Sequence, residues 1–338
     1  MADSVRTNFS ILDLATFQAD NDIRTSFQNS LDLAQHAEKW GYTRFWLAEH
    51  HNMPGIGSAA TSVLIGYIAG GTSTIRVGAG GIMLPNHPPL VIAEQFGTLE
   101  TLYPGRIDLG LGRAPGSDRL TAHALRRGVN TEESFPRQVQ ELLDFLAPAV
   151  PGQKLLAVPG CGTNVPIWLL GSSTFSAQLA AVMGLPFAFA SHFAPDLLYP
   201  ALELYRKYFR PSIYLDRPYT MVGLPIIAAD TDAEAQRLAT SPAQRFLNLI
   251  RGKPLYTVPP VDSMNGLWST EEQSLVESKL GVSVIGSLET ITAKLKAFQQ
   301  KTEADEFIMT SDLYHHADRL RSYELAAAAM KSIQMVTQ

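Results

Sequence analysis

Between residues 45 and 116, three apolar segments each end in polar or ionisable residues, and helical patterns separate the segments. Segment 45–48 is followed by Glu49, His50 and His51. Segment 75–82 is followed by the 85–89 loop, and segment 106–112 is followed by Arg113. In α/β enzymes, the residues that carry the chemistry lie at the carboxyl ends of parallel strands. The repeated pattern therefore predicts parallel strands that present functional side chains at one common edge.

Eight strand patterns of this kind alternate with helical patterns along the chain. They cover residues 8–14, 43–48, 75–82, 106–112, 165–170, 186–191, 221–229 and 306–311. The alternation predicts an α/β fold, a (β/α)8 TIM barrel. A minimal barrel needs about 250 residues, so the 338-residue chain has a surplus. We interpret residues 1–338 as one domain, with 252–286 as an insertion before the last strand that serves as a lid.

Two capping patterns predict where helices begin. Thr25, with Gln28 three residues later, has capping-box spacing and precedes apolar residues at helical intervals. Ser269 and Glu272 have the same spacing and predict a short helix within the 252–286 insertion. The rest of this insertion is rich in Pro, Gly and Ser, and we expect it to lack regular structure.

Composition excludes several classes of protein. The net charge is −5 and no basic run occurs, which argues against a nucleic-acid partner. No apolar stretch approaches the roughly 18 residues of a membrane span, and the N-terminus lacks the apolar region of a signal peptide. Cys161 is the one cysteine, so neither an intramolecular disulfide nor a Cys-rich metal site is expected. These features predict a soluble cytoplasmic enzyme or binding protein.

The histidines after the first segment allow a structural and a catalytic interpretation. Glu49, His50 and His51 lack the HExxH spacing of a zinc protease helix. Adjacent residues of a strand point to opposite faces, so His50 and His51 are not expected to share a metal ion, and no metal site is predicted. A histidine at a strand end suits proton transfer near neutral pH. We interpret His315 and His316 as solvated loop residues.

Glycine and arginine positions at the same edge also allow two interpretations. Gly80 and Gly81, inside the glycine-rich 78–81 segment, fit a bulge or a tight barrel wall, or else the close approach of a flat ligand. Arg113 fits a surface ion pair or a clamp for an anion. Gly171, Ser172 and Ser173 form either an ordinary helix cap or a phosphate site where N–H groups and hydroxyls converge.

Three motifs, taken together, carry a resemblance to a known family. They are FWLAEHHN at 45–52, VGAGGIMLPNHPPLVIAEQFGTLETLYPGRIDLGLGRAPGSD at 77–118, and WLLGSS at 168–173. Over nearly its whole length the chain resembles the bacterial luciferase-like, flavin-dependent monooxygenases, in their FMN-using, non-F420 branch. The resemblance implies a (β/α)8 barrel, usually dimeric, with FMN at the strand ends.

The resemblance also implies roles for individual residues. Glu49 would lie beneath the flavin, and His50 matches the histidine that assists the reaction of reduced flavin with oxygen. Gly80 and Gly81 match a cis peptide bond that lies against the flavin ring. Arg113 matches the phosphate-binding arginine. These roles are expectations that rest on the family pattern.

The phosphate region departs in part from that pattern. The 171–173 segment matches the loop that receives the phosphate. A second phosphate arginine has no clean counterpart, and Arg126 and Arg127 are only nearby candidates. Cys161 does not supply the reactive pocket cysteine of some luciferases, so light emission is not expected. Because 252–286 corresponds to the variable region over the substrate pocket, substrate identity does not transfer.

The sequence thus predicts an FMN-dependent monooxygenase that oxidises a small organic substrate with reduced flavin and O2. Reduced FMN would come from a separate NAD(P)H:flavin reductase. A homodimer is expected, with segments 58–68 and 90–102 as candidate contacts. Two alternatives stay open: an F420-dependent hydride-transfer enzyme on the same barrel, and a non-catalytic flavin-binding protein.

Overall fold

The computed structural model describes residues 7–20, 22–113, 119–125 and 134–336. The strands in these ranges are β1 (Asn8–Asp13), β2 (Arg44–Leu47), β3 (Arg76–Met83), β4 (Ile107–Gly112), β5 (Ile167–Gly171), β6 (Phe187–Phe189), β7 (Thr220–Ala228), β8 (Val284–Gly286) and β9 (Glu306–Thr310). The α-helices are α1 (Ile23–Trp40), α2 (Thr61–Gly70), α3 (Pro89–Leu102), α4 (Arg119–Ala124), α5 (Phe135–Leu146), α6 (Thr174–Met183), α7 (Leu198–Tyr208), α8 (Asp232–Ile250), α9 (Thr270–Lys279), α10 (Leu288–Thr302) and α11 (His316–Val336). Among these helices, none is both long and apolar enough to span a membrane.

Eight of the strands form a closed parallel barrel. Their order is β1, β2, β3, β4, β5, β6, β7 and β9, and β9 pairs with β1 to complete the ring. The predicted (β/α)8 fold is therefore confirmed. The ninth strand, β8, pairs with β7 outside the ring, where Val284 lies beside Ile226. It falls in the segment predicted to be irregular, because a three-residue strand is too short to show a periodic pattern.

Alternation along the strands divides the core into two layers. In β2, Phe45 and Leu47 pack between the barrel and its helices, whereas Trp46 faces the interior cluster. Trp46 and Trp168 of β5 meet edge-to-face there, with ring centroids 5.3 Å apart. Both tryptophans are buried. The barrel interior is therefore filled with side chains, which leaves its open ends for ligands.

The start of α1 differs from the prediction. Asp22 is the N-cap, and its carboxylate accepts a hydrogen bond of 3.0 Å from the Arg24 N–H. The predicted capping box at Thr25 and Gln28 is wrong, because both residues lie inside the helix. Asp22 has the extended backbone of an N-cap and a carboxylate to offer, so the helix begins one residue after it.

The start of α11 also differs from the prediction. His316 is the first residue of this helix and is only partly exposed. Its Nε2 lies 2.8 Å from the Asp32 carboxylate on α1. The interpretation of His316 as a solvated loop residue is therefore wrong, because packing of α11 against α1 brings these two side chains together. His315 is exposed, as predicted.

The 252–286 insertion contains more order than predicted. The capping box at Ser269 and Glu272 is confirmed: the Ser269 hydroxyl accepts from the Glu272 N–H at 3.3 Å and begins α9. Before it, the 253–262 segment crosses the loops that follow β1 and β2. The N–H of Leu255 donates to the Pro54 carbonyl at 2.8 Å, after β2. The N–H of Thr257 donates to the Phe17 carbonyl at 3.1 Å, after β1. These backbone contacts place the segment over the carboxyl end of the barrel.

A carboxylate at the end of α1 holds the turn before β3, and its protonation should weaken the fold. Glu38 Oε1 accepts hydrogen bonds of 2.9 Å from the N–H groups of Ser73 and Ile75, and also one from the Thr74 N–H. Burial would raise the pKa of Glu38, but these hydrogen bonds lower it to about 2. A lowered pKa means that the stabilisation is present above the unfolded-state pKa and is lost as pH falls towards 2.

We therefore expect Glu38→Gln to lower the free energy of unfolding by about 1 kcal/mol at pH 7. The difference from the wild-type chain should shrink between pH 5 and the lowest pH at which the chain stays folded. Urea unfolding across that range measures it, with Glu277→Gln on exposed α9 as the control. A difference that does not change with pH would contradict this role of the Glu38 charge.

Candidate active site

The structure brings the predicted site residues to one end of the barrel. Glu49 and His50 follow β2, Arg113 follows β4, and Ser172 and Ser173 follow β5. In a parallel barrel these strand ends all open on the same face. The arrangement predicted from the three apolar segments is therefore present in the structure.

Glu49 is a buried carboxylate that binds two histidines. Its Oε1 lies 2.7 Å from His51 Nε2 and 2.9 Å from His87 Nε2. Its Oε2 accepts a hydrogen bond of 2.9 Å from the Met83 N–H. Burial by itself would raise the pKa of Glu49, but the two imidazoles and the Met83 amide lower it to about 2. Glu49 is thus ionised at neutral pH and positions both histidines.

Among the described residues, no hydrogen bond joins the His50 side chain to that cluster, and the charge that acts most strongly on it is that of Arg245 of α8. The His50 side chain is largely enclosed, and its Nδ1 is buried with no hydrogen-bond partner among the described residues. Burial, and then the charge of Arg245, lower the pKa of His50 to about 4. His50 is therefore a neutral imidazole at pH 7.

His192 follows β6 and lies at the same end of the barrel as the other candidate site residues, although it was not predicted as one of them. Strands β2 and β6 lie opposite each other in the eight-membered ring, so His50 and His192 approach from opposite sides. Burial, together with His50, lowers the pKa of His192 to about 4, and its Nδ1 is also buried without a partner in the described part of the chain. The available signal was the position of His192 directly after the predicted strand 186–191, whereas its approach to His50 depends on closure of the barrel.

An ion pair lies near His50 at this end of the barrel. Arg245 of α8 and Asp312 beyond β9 are 2.5 Å apart, and Arg245 Nε also donates to the Leu255 carbonyl at 3.0 Å. Arg245 is 8% exposed, so the pair is largely shielded from water. These residues are 67 positions apart in the chain and belong to no short motif, which is why sequence patterns did not identify them.

The glycines of β3 are explained by the barrel wall itself. The Gly80–Gly81 peptide bond is cis, as the resemblance implies. A Cβ on Gly81 would lie 2.7 Å from the Gly110 carbonyl oxygen, and one on Gly80 would lie 2.7 Å from Leu12. The register between β3 and β4 shifts at this point. The bulge and tight-wall interpretation therefore accounts for both glycines, and contact with a flat ligand remains a proposal.

Arg113 and the 171–173 segment come together at the start of α6. The Arg113 guanidinium lies over the Phe175 ring, 4.3 Å from its centroid. Ser173 is the N-cap of α6, but its hydroxyl caps no N–H group. Among described residues, the hydroxyls of Ser172 and Ser173 make no hydrogen bond, and Arg113 has no carboxylate partner. As far as the described residues show, a cation, two hydroxyls and a helix N-terminus are therefore available to bind one anion.

The two other arginine candidates, Arg126 and Arg127, lie outside the described residues. Cys161 lies in the loop before β5, where its Sγ is 3.3 Å from the Ala147 carbonyl oxygen. That carbonyl belongs to the residue just after α5, away from the barrel mouth. Cys161 therefore takes no part in the candidate site.

Comparison with known proteins identifies the family. A family model described as luciferase-like monooxygenase matches residues 7–306. The chain belongs to this family. It is 54% identical over 319 residues to a luciferase-like monooxygenase of Escherichia coli K12, covering 94% of this chain and 95% of the relative. It is 58% identical over 328 residues to the Bacillus subtilis protein YvbT, covering 96% and 97%.

Solved structures share the fold of this luciferase-like protein. The structure of apo-MsnO8 superposes with a TM-score of 0.84 at 32% identity, covering 97% of this chain and 98% of that one. The oxygenating constituent of a 3,6-diketocamphane monooxygenase in complex with FMN gives 0.71 at 18% identity, and an F420-dependent secondary alcohol dehydrogenase gives 0.70 at 14%. At such identities the similarity shows the fold alone, and it includes proteins that use either cofactor.

Proposed function

We propose that the chain is an FMN-dependent monooxygenase that uses reduced flavin and O2 to oxidise a small organic substrate. One observation carries the proposal: Arg113 is stacked on Phe175, beside hydroxyls of Ser172 and Ser173 that have no hydrogen-bond partner among the described residues. This set of donors fits the phosphate of FMN, because a guanidinium and helix N-terminal N–H groups both favour a dianion. The monooxygenase names of close relatives in the same family support the oxygenase part.

Each site residue has a distinct role in this proposal. Arg113, Ser172 and Ser173 hold the phosphate, and the backbone of Gly80 and Gly81 borders the flavin ring. Bound reduced FMN would supply the electrons for the reaction with O2. The protein supplies orientation and a site from which water is excluded.

His50 is proposed as the group that handles a proton beside the flavin. Its neutral imidazole offers one nitrogen as a donor and one as an acceptor, and its buried Nδ1 has no partner among the described residues. Glu49, which is ionised and fully engaged, acts as a positioning residue for the strand ends. His192 lies on the opposite side and would face the substrate.

The remaining expectations stay proposals. The 253–262 segment would act with the rest of the insertion as a lid, because it already lies across the β1 and β2 loops. A homodimer through α2 and α3 is supported by exposed apolar side chains on those helices, including Val63 and Leu102. Reduced FMN would come from a separate NAD(P)H:flavin reductase. A cytoplasmic location fits a chain with a single cysteine.

Two other functions are compatible with the same barrel. An F420-dependent hydride-transfer enzyme would also need an anion site, and one solved structure of similar fold is F420-dependent. A non-catalytic flavin-binding protein would keep the phosphate site and lack turnover. Anaerobically reduced FMN mixed with oxygen and candidate substrates separates these cases, since only a monooxygenase yields an oxygenated product.

Titration of the purified chain with FMN and with F420, followed by flavin fluorescence, tests the cofactor. We expect FMN to bind, and Arg113→Ala to raise its Kd at least about tenfold, equivalent to about 1.4 kcal/mol. Arg210→Ala is the matched control, because this exposed arginine follows α7 at the opposite end of the barrel. Its FMN affinity should equal that of the wild-type chain.

The possible outcomes lead to different conclusions. Binding of F420 but neither oxidised nor reduced FMN would overturn the monooxygenase proposal. FMN binding that is equally strong in Arg113→Ala would place the phosphate elsewhere. If oxidised FMN does not bind, the same titration with reduced FMN under anaerobic conditions tests the form that the proposed reaction uses.

A further inference from the structure

Three potential metal ligands converge at the ends of β2 and β3. They are Glu49 Oε1, His51 Nε2 and His87 Nε2, and these atoms all lie within 4.8 Å of one another. Glu49 and His51 follow β2 two residues apart, and their side chains meet at 2.7 Å. His87 comes from the loop after β3, the strand that neighbours β2. The three side chains thus come from two adjacent strand ends.

The chemistry of this set matches known metal sites. Two histidines and one carboxylate bind catalytic zinc, and the same ligands form the facial triad of non-haem iron. Both leave coordination positions open for water. We propose that Glu49, His51 and His87 form a binding site for a divalent transition-metal ion of the Zn²⁺ type. The site does not depend on the proposed flavin function.

The surroundings of the carboxylate favour this role. Glu49 is 1% exposed, and its second oxygen is held by the Met83 N–H at 2.9 Å. Carboxylate ligands in metal sites are commonly fixed in this way by a hydrogen bond to the other oxygen. His51 and His87 have side chains 18% and 26% exposed, so an ion can enter from solvent.

Asn86 provides a second, independent observation. Its Nδ2 lies 3.3 Å from Glu49 Oε1, and its Oδ1 is buried without a partner among the described residues. The two ends of an amide are interchangeable by a 180° rotation. In the rotated form, Oδ1 would lie on the side of the bound cation, where a carbonyl oxygen is a favourable neighbour, in place of the weak contact between Nδ2 and Glu49.

Metal binding requires a rearrangement of the three side chains. The two Nε2–Oε1 distances are 2.7 and 2.9 Å, which suits hydrogen bonds in the metal-free state. Tetrahedral zinc, with ligand distances of about 2.0–2.1 Å, separates neighbouring ligand atoms by about 3.3 Å. The two Nε2–Oε1 distances must therefore open by about 0.5 Å, and the two Nε2 atoms, which lie within 4.8 Å of each other, must come to a similar separation. The two Nε2 protons must leave these atoms. The set could not be predicted from the adjacent pair His50 and His51, because the histidine that joins His51 at Glu49 is His87.

Calorimetric titration of the full, untagged chain with ZnCl2, without flavin, tests the site. We expect one Zn²⁺ per chain, and a Kd at least about tenfold higher in His51→Ala and in His87→Ala. Co²⁺ should give visible d–d absorption typical of nitrogen and oxygen ligands, which is lost in both variants. Thermal unfolding should shift upward on addition of Zn²⁺ in the wild-type chain, but not in His51→Ala or His87→Ala.

His36→Ala is the matched control, because His36 is another partly exposed histidine near a carboxylate, 3.5 Å from Asp32. It should bind Zn²⁺ like the wild-type chain. The proposal is overturned if Zn²⁺ fails to bind stoichiometrically, or if His36→Ala weakens binding as much as His87→Ala. Because flavin is absent from every sample, failure here would leave the FMN titration and its conclusion unaffected.

Discussion

Asp108→Ala is expected to lower the free energy of unfolding by about 3 kcal/mol or more. Asp108 is fully buried, at the end of the barrel opposite the candidate site. Its two oxygens lie 2.8 Å from Arg44 and 2.6 Å from Arg76. Removal of the carboxylate leaves Arg76 without its ion-pair partner and leaves Arg44 with Glu306 alone. Breaking one side of a buried ionic network is costly because the remaining charge stays out of water.

The charge of Asp108, rather than its volume, should account for the loss. Burial would raise the pKa of Asp108, but Arg44 and Arg76 hold it below its usual range. Asp108→Asn keeps the shape and the acceptor for Trp46 Nε1, which lies 3.2 Å away. We expect Asp108→Asn to lose most of the same stability in urea unfolding. Asp108→Asn with wild-type stability would show that the network acts through packing.

An exposed pair of similar geometry provides the control. Asp230 and Arg321 lie 2.7 Å apart, but their side chains are 75% and 47% exposed. Solvent screening reduces such pairs to below about 1 kcal/mol. Asp230→Ala should therefore change the free energy of unfolding far less than Asp108→Ala. Equal losses at the two positions would contradict the assignment of the effect to burial.

Gly97→Ala is expected to destabilise the fold by about 3 kcal/mol. A Cβ on Gly97 of α3 would overlap the backbone of Gly160, in the loop before β5. Gly160 itself packs against the Ala93 carbonyl, so helix and loop approach backbone to backbone. Backbone cannot move aside as the end of a flexible side chain can. The added methyl must therefore displace the loop from α3.

A second helical glycine shows what Ala does when space is available. A Cβ on Gly66 of α2 would meet only Leu99 Cδ2, at 3.4 Å, which is ordinary van der Waals contact. Ala exceeds Gly in helix propensity by about 1 kcal/mol. Gly66→Ala should therefore raise the free energy of unfolding, with Gly97→Ala lowering it, as measured by thermal or urea denaturation. Destabilisation by both variants would mean that crowding at Gly160 is not the cause.

Local pattern predicted the fold and much of the candidate site. The spacing of apolar residues within short segments identifies each strand and helix, and the alternation of strands with helices predicts a parallel barrel. Glu49, His50, Arg113 and the 171–173 segment were located because they directly follow strands. Strand ends of a parallel barrel meet at one face, so position along the chain was sufficient to group them.

Contacts between distant segments could not be predicted in this way. His192 and Asp312 also directly follow predicted strands, but their partners could not be read from the chain: Asp312 pairs with Arg245 of α8, and His192 lies near His50 across the ring. β8 was missed because three residues carry too little periodicity, and the start of α1 was misplaced because Asp22 was not recognised as the cap.

The sequence by itself determined the (β/α)8 barrel, the functional end of that barrel and the residues at each strand end, since all of these follow from local periodicity and strand direction. Only the tertiary structure decided which side chains act together. It joined Glu49 to His51 and His87, separated His50 from them, and placed Arg113 on Phe175. The physical reason is that burial and pairing depend on distances across the ring, which closure of the barrel creates and which no local sequence pattern encodes.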